Sequence, residues 1–117
     1  HGVGYFLNVH EGPHAISKNN KVHFTPGIVI SNEPGFYKKG KYGIRIENLI
    51  YLKKNKSKMF FEDLTMVPIE KNLIEKSLLK QNEKKWINNY HKKVFSKLQK
   101  FMNKTEVIDL KKACSAI

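Results

Sequence analysis

Residues 43–52 read Gly-Ile-Arg-Ile-Glu-Asn-Leu-Ile-Tyr-Leu, and this stretch decides the fold because it is the clearest strand pattern in the chain. Successive side chains of a β-strand point to opposite faces, so the isoleucines and the final leucine are expected to share one face. Arg45 and Glu47 are expected to lie together on the other face. A carboxylate inside an apolar strand is costly unless it is paired or binds a metal ion. The stretch therefore predicts both a buried strand and a candidate site.

Further strand patterns lie on both sides of this stretch. The apolar run at residues 28–31 is bounded by Pro-Gly turns and indicates a buried strand. Residues 59–67 resemble a return strand after a polar turn, and residues 5–9 predict a short extended segment. The first 70 residues thus predict one antiparallel sheet joined by hairpins.

The second part of the chain has a helical pattern. In residues 80–102, large apolar side chains recur at steps of three and four residues, and lysines occupy the remaining positions. The members of this apolar stripe are Trp86, Tyr90, Val94, Leu98 and Phe101. We expect Trp86, Tyr90, Val94 and Leu98 to be buried together against the back of the sheet, and Thr105 to be the N-cap of a short last helix. The predicted fold class is α+β, with a sheet portion at 1–70 and a helical segment of the same domain at 71–117.

Composition excludes several classes of protein. A chain of 117 residues is long enough for one domain with one core. It contains no apolar run of about 18 residues, as a membrane span would require, and no signal peptide opens it. The single cysteine, Cys114, excludes an internal disulfide framework and fits a reducing compartment. The chain has no initiator methionine, and its Gly-rich start reads as the middle of a longer protein.

Net charge raises a possible role in nucleic-acid binding. The formal net charge is +12, and only one of the 22 basic residues, Arg45, is an arginine. The lysines follow one helix face and the hairpin turns, without interleaved aromatic side chains for stacking on bases. A solvated basic face is therefore favoured over a nucleic-acid site.

Two carboxylates and two histidines are the candidates for chemistry. Glu33 ends an apolar run directly before a proline, and Glu47 follows Arg45 in its strand. From spacing alone, a structural Arg45–Glu47 pair competes with a divalent metal site built by Glu33, Glu47 and an imidazole. His1 and His10 are surrounded by glycines and apolar residues, as in a loop beside a site.

The other candidate groups give no signature of nucleophilic catalysis. His14, His23 and His91 are interpreted as structural or exposed residues. Cys114 has no histidine near it in sequence. The sequence also contains no Ser-His-Asp signature and no nucleophile elbow.

Three sequence motifs in order carry a resemblance to a known family. Residues 1–13, 31–37 and 43–48 read His-Gly-Val-Gly-Tyr-Phe-Leu-Asn-Val-His-Glu-Gly-Pro, Ser-Asn-Glu-Pro-Gly-Phe-Tyr and Gly-Ile-Arg-Ile-Glu-Asn. In residue identity and spacing, these motifs resemble the metal site of the aminopeptidase P (Xaa-Pro aminopeptidase) family, in its eukaryotic cytosolic type. The resemblance spans essentially the whole chain and implies the C-terminal part of a "pita-bread" fold, a curved antiparallel sheet with helices on its outer face.

The resemblance also implies a role for each candidate residue. His1, Glu33 and Glu47 match three of the family's five metal ligands, with Glu47 bridging two divalent ions, usually manganese. Glu33 matches the residue that takes a proton in catalysis, and His10 matches a histidine that contacts substrate and assists proton transfer. Arg45 matches an arginine that holds the carboxylates in place.

The whole family member would be a cytoplasmic homodimer that does not bind a membrane. Its activity would be removal of the N-terminal residue from peptides with proline in second position. The family's two aspartate ligands would lie upstream, so the fragment alone is expected to be inactive.

Related classes remain as alternatives to this assignment. Methionine aminopeptidases share the fold but usually carry methionine where this chain has Gly35, which argues against them. Prolidases share the fold but lack the sequence motif of residues 8–13. A non-catalytic pita-bread module that binds protein or nucleic acid would have lost the ligands. If the metal hypothesis is correct, Glu33, Glu47 and His1 must converge within a few ångströms.

Overall fold

The first half of the chain forms five antiparallel strands, and the second half forms helices. The computed structural model describes all 117 residues and divides them into two compact units, His1–Thr65 and Met66–Ile117. In the first unit, the strands are β1 Val29–Asn32, β2 Gly35–Lys38, β3 Tyr42–Arg45, β4 Asn48–Asn55 and β5 Lys58–Asp63. The second unit contains helices α1 Gln81–Leu98 and α2 Lys104–Ala113. Short 3₁₀ turns lie before α1 at Lys71–Leu73 and Lys76–Leu78, and between the two helices at Gln99–Phe101. The predicted α+β class is confirmed, whereas the grouping of residues 1–70 and 71–117 in one domain stays a prediction.

The strands form two sheets that share one register. One sheet has the order β1-β4-β5, and the other consists of β2 and β3. Asn32 pairs with Asn48, and Gly35 pairs with Arg45. Between these pairs, the Ile46 amide donates to the Pro34 carbonyl at 3.2 Å. Continuing the β1–β4 register by one step places Glu33 opposite Glu47.

Two details of the strand prediction are wrong. Residues 43–52 do not form one strand, because the ladder is interrupted at Ile46 and Glu47, opposite Pro34. Proline has no amide proton to donate, so a ladder is readily interrupted where it lies. The single predicted sheet is accordingly divided into two.

Only part of the apolar face predicted for residues 43–52 is buried. Ile30, Ile50 and Leu52 are buried in the three-stranded sheet, as expected for its core face. Ile44 and Ile46 are exposed, and so is every residue of β2 and β3. Alternation alone predicts which side chains share a face, but whether that face is covered depends on the packing of other elements.

The first residues pair with β1 and then turn away. Gly2 forms antiparallel bridges with Glu11 and Ile30, and its amide donates to the Glu11 carbonyl at 2.7 Å. A side chain at this position would meet that carbonyl oxygen, because a Cβ on Gly2 would lie 3.2 Å from it. The extended segment predicted for residues 5–9 is wrong: Phe6 has φ 63°, in the left-handed region, and the chain reverses there.

The second unit has its own apolar core. Tyr90 and Val94 of α1 pack with Leu110 of α2, and six partly buried side chains complete the cluster. These six are Met66, Ile69, Phe95, Leu98, Met102 and Cys114. Helix α2 begins after Asn103, whose side chain accepts from the amides of Thr105 and Glu106, so the prediction of Thr105 as N-cap is wrong by two residues.

Trp86 does not belong to this core. Its ring stacks on Tyr90 at 5.6 Å between centroids, yet 51% of the residue is exposed, and Phe101 is 78% exposed. The burial predicted for Trp86 is therefore wrong within this chain. Neither helix of the second unit is long and apolar enough to cross a membrane.

A fully buried histidine connects α1 to the segment that precedes it. His91 has no exposed surface, and its Nε2 accepts a hydrogen bond from the Ile69 amide at 3.1 Å. No hydrogen bond of normal geometry reaches Nδ1, although the Ser115 backbone lies near the ring. Burial, and then the Lys71 ammonium, lower the pKa of His91 below its ordinary value of 6.5. The folded protein therefore holds this imidazole neutral.

We predict that stability falls as the pH is lowered through about 6.5, because the unfolded chain binds a proton at His91 before the folded chain does. One such group contributes at most about 1.4 kcal/mol per pH unit. In His91→Gln, the amide oxygen can still accept from Ile69 but does not titrate. Urea unfolding of the wild type and the variant is measured from about pH 7.5 to about pH 5, the range in which histidines titrate. The free energy of unfolding should fall less steeply with decreasing pH in the variant. An equal pH dependence of the unfolding free energy in the two proteins would contradict the assignment of a neutral His91.

Candidate active site

One guanidinium holds both candidate carboxylates at the interruption of the ladder. Arg45 Nη1 lies 3.5 Å from Glu33 Oε2, and Arg45 Nε lies 3.2 Å from Glu47 Oε2. The register explains this contact, because Glu33 and Glu47 are opposite each other and Arg45 is two residues before Glu47 on the same strand face. The structural pair expected between Arg45 and Glu47 is thus present, and Arg45 also contacts the second carboxylate.

The imidazole of His1 faces the same carboxylate from another segment. His1 Nε2 lies 3.0 Å from Glu33 Oε1, and both side chains are mostly buried. His1 Nδ1 lies 2.8 Å from the carbonyl oxygen of Gly2, which can only accept, so Nδ1 carries a proton. Nε2 therefore faces a carboxylate oxygen, an arrangement in which a cation, either a proton or a metal ion, fits between the two groups.

A buried serine connects the His1 segment to Glu33. Ser31 Oγ donates to Glu33 Oε1 at 2.8 Å. The Ser31 amide donates to the His1 carbonyl at 2.9 Å. No role was predicted for Ser31. Its hydroxyl lies at the end of an apolar buried run, two residues before a candidate ligand, and this position is the sequence signal that indicates a role.

His10 lies beside His1 and closes the group. The two imidazole centroids are 5.0 Å apart, with the rings nearly perpendicular. The loop that carries His10 is held by Glu11, whose Oε2 accepts from the backbone and side-chain nitrogens of Asn8 at 2.7 and 2.9 Å. All five predicted site residues therefore lie in one region of the first unit, connected by contacts between neighbours.

The donors fit a divalent metal in type but do not form a complete set in this chain. Two carboxylates and an imidazole are ligands that Mn²⁺ and Zn²⁺ accept. A ligating histidine usually donates its other N–H to a carbonyl, and His1 Nδ1 lies 2.8 Å from the Gly2 carbonyl oxygen. Glu47 contacts Arg45 but not His1. No three of the chain's His, Cys, Asp and Glu side chains form a group that could hold an ion.

The remaining candidates are not part of this region. His14 packs against Phe24 at 5.9 Å, His23 is exposed, and His91 is buried in the second unit. Burial raises the pKa of the Cys114 thiol, which keeps it protonated and unreactive as a nucleophile. These positions agree with the structural or exposed interpretation of each residue.

Comparison with known families and proteins gives matches along the whole chain. A model of metallopeptidase family M24 matches residues 1–54, and a model of the C-terminal region of peptidase M24 matches residues 58–117. A "Probable Xaa-Pro aminopeptidase P" of Laccaria bicolor is 42% identical over 130 residues, covering 100% of this chain and 20% of that protein. The protein of the same name from Talaromyces marneffei is 46% identical over 118 residues, covering 92% of this chain and 18% of that protein.

A solved structure is similar over the full length of the chain. The X-prolyl aminopeptidase of Caenorhabditis elegans, described as a cytosolic enzyme with a di-nuclear active site, aligns with a TM-score of 0.79 and 41% sequence identity. The alignment covers 100% of this chain and 21% of that protein. The chain thus spans about a fifth of the length of the relatives that it matches.

We predict that Arg45→Ala lowers the affinity for Mn²⁺ by about 10–100-fold in the complete polypeptide that carries this chain, because both carboxylates lose the group that orients them. Arg45→Lys should recover only part of the loss, since one ammonium lacks the planar fork that contacts both carboxylates. Titration with Mn²⁺ measures the effect. Lys53→Ala, which removes the ion pair with Glu62 at 2.8 Å in the same unit, is the matched control and should bind Mn²⁺ as the wild type does. Unchanged affinity in Arg45→Ala would contradict the prediction.

Proposed function

The chain belongs to metallopeptidase family M24, and we propose that it forms the C-terminal part of the catalytic domain of an Xaa-Pro aminopeptidase. The reaction is removal of the N-terminal residue from a peptide that has proline in second position. The observation that carries the proposal is the convergence of His1, Glu33, Arg45 and Glu47 at the ladder interruption. The names of the relatives support the substrate class.

Two divalent metal ions are part of the proposal. His1 Nε2 and the carboxylates of Glu33 and Glu47 would hold them, with two aspartates from outside this chain completing the set. When bound, such a pair of ions lowers the pKa of water and polarises the scissile carbonyl. The approach of His1 Nε2 to Glu33 and the Arg45 contacts support this assignment, because they orient three donors before any ion arrives.

The chain's own residues have separate tasks in the reaction. Glu33 is the proposed proton acceptor, because its Oε1 faces the cluster and a carboxylate can take a proton from the attacking water. His10 is proposed to hydrogen-bond the carbonyl or proline side of the peptide, since its ring lies against His1 without contacting either carboxylate. Arg45 compensates the charge of two opposed carboxylates and keeps them in place.

Three finer points belong to the same proposal. Manganese is the proposed metal, because carboxylate-rich sites suit Mn²⁺. A homodimer is proposed, and exposed apolar side chains such as Tyr5, Phe6 and Val9 supply surface that an interface could cover. A cytoplasmic location is proposed by analogy with the cytosolic enzyme of Caenorhabditis elegans.

The substrate class is tested by peptide cleavage with the complete polypeptide. Peptides with proline in second position should lose their first residue, whereas peptides with alanine there should be cleaved far more slowly. A chelator should abolish cleavage, and added Mn²⁺ should restore it, because the proposed site acts only with its ions. Cleavage that ignores the proline, or that survives removal of metal, would contradict the proposal.

Two substitutions separate a ligand from a substrate contact. Glu47→Gln should abolish both activity and binding of the metal pair, because an amide carries no charge and does not bridge two ions. His10→Ala should keep its metal content but lower turnover by on the order of 10²–10⁴-fold, because the proposed role of His10 at the substrate includes assisting proton transfer. Cleavage rates and metal content are measured in parallel, with Lys92→Ala on the exposed face of α1 as the control. Normal metal content in Glu47→Gln would contradict the ligand assignment, and full activity in His10→Ala would contradict its role.

A further inference from the structure

The side chain of Ser31 is buried where an apolar one would be expected. It lies in β1 next to Ile30, and only 1% of its surface is exposed. A buried hydroxyl is costly unless it has hydrogen-bond partners. Its partner here is the carboxylate of Glu33, which belongs to the candidate site.

The direction of the hydroxyl proton follows from this contact. A serine hydroxyl has one proton to donate and two lone pairs to accept. The carboxylate of Glu33 can only accept, so the hydroxyl proton of Ser31 points to Glu33 Oε1 at 2.8 Å. A hydrogen bond from a hydroxyl to a carboxylate is stronger than one between neutral groups.

The two oxygens of Glu33 are thereby held by different groups. Oε1 accepts from Ser31 and faces His1 Nε2, and Oε2 lies beside Arg45. Contacts at both oxygens define the plane of the carboxylate, which Arg45 alone would not do at a distance of 3.5 Å. The Ser31 amide also donates to the His1 carbonyl at 2.9 Å, so one residue fixes the backbone of His1 and the side chain of Glu33.

We propose that Ser31 is a positioning residue for the metal site: its hydroxyl sets the carboxylate of Glu33, and its amide holds the His1 carbonyl, in the arrangement that both residues need to bind the same ion. The inference rests on the proposed function, because it takes Glu33 and His1 to be ligands. It goes further in assigning to Ser31 an effect on metal affinity that burial alone would not produce.

Metal affinity, not activity alone, is the decisive measurement. The complete polypeptide is prepared as wild type, Ser31→Ala and Ser31→Thr, and each is titrated with Mn²⁺ alone. Melting temperature, kcat and KM are measured on the same preparations. Tyr90→Phe is the matched control, because it removes a hydroxyl that donates to the Val67 carbonyl at 2.9 Å from a 4% exposed residue of the second unit.

The expected result is a loss confined to the site. Ser31→Ala should bind Mn²⁺ about 10–100-fold more weakly, the usual effect of removing a partner of a metal ligand. Its kcat at subsaturating Mn²⁺ should fall in proportion, and its melting temperature should change no more than that of Tyr90→Phe. Ser31→Thr keeps the hydroxyl and should recover most of the affinity, while Tyr90→Phe should bind Mn²⁺ as the wild type does.

Two results would overturn the inference about Ser31. The first is unchanged Mn²⁺ affinity in Ser31→Ala beside a wild type that binds Mn²⁺ and cleaves its peptide; this outcome leaves the proposed function intact. The second is an equal loss in Ser31→Ala and Tyr90→Phe, since stability would then account for it. A wild type that binds no Mn²⁺ would overturn the proposed function together with the inference.

Discussion

Two carboxylates face each other across neighbouring antiparallel strands, and one guanidinium holds both. Like charges directly opposite each other in a sheet destabilise it, so the Glu33–Glu47 pair is tolerated only with a compensating cation. Arg45 supplies that cation within this chain, at 3.5 and 3.2 Å from the two carboxylates. His1 approaches Glu33 at the same point, with Nε2 at 3.0 Å from the carboxylate.

The interruption of the ladder is what makes room for these groups. Pro34 breaks the pairing of β1 and β4 before it resumes in β2 and β3, and the acidic residues lie at the break. In a strand without this interruption, the backbone N–H and C=O groups at Ile46 and Glu47 would be taken up by strand pairing. Bulges and breaks of this kind commonly occur next to active sites, because they free side chains and backbone groups for other partners. The His1 segment then pairs with β1 through Gly2 and brings an imidazole to the same place.

The second unit illustrates a different use of polar groups. His91 is fully buried and accepts a hydrogen bond from Ile69, so it connects α1 to the segment before it. Lys71 donates to the carbonyls of Lys112 and Ser115 at 2.9 and 3.1 Å and satisfies the end of α2. These contacts give the helical unit specific polar connections around the small apolar core of Tyr90, Val94 and Leu110.

Local patterns in the sequence determined the strand at residues 28–31, the long helix and the identity of the candidate ligands, because alternation, helical spacing and an unexpected carboxylate are all visible within a few residues. The tertiary structure alone decided the rest. The break at Ile46 depends on Pro34, which lies between β1 and β2. The exposure of Trp86 and Ile44 depends on which faces are covered, and the hydrogen bond from Ser31 to the His1 carbonyl joins residues that are distant in the chain. A linear pattern specifies which groups a segment presents, but whether two such groups meet depends on the register and packing of segments distant in the chain.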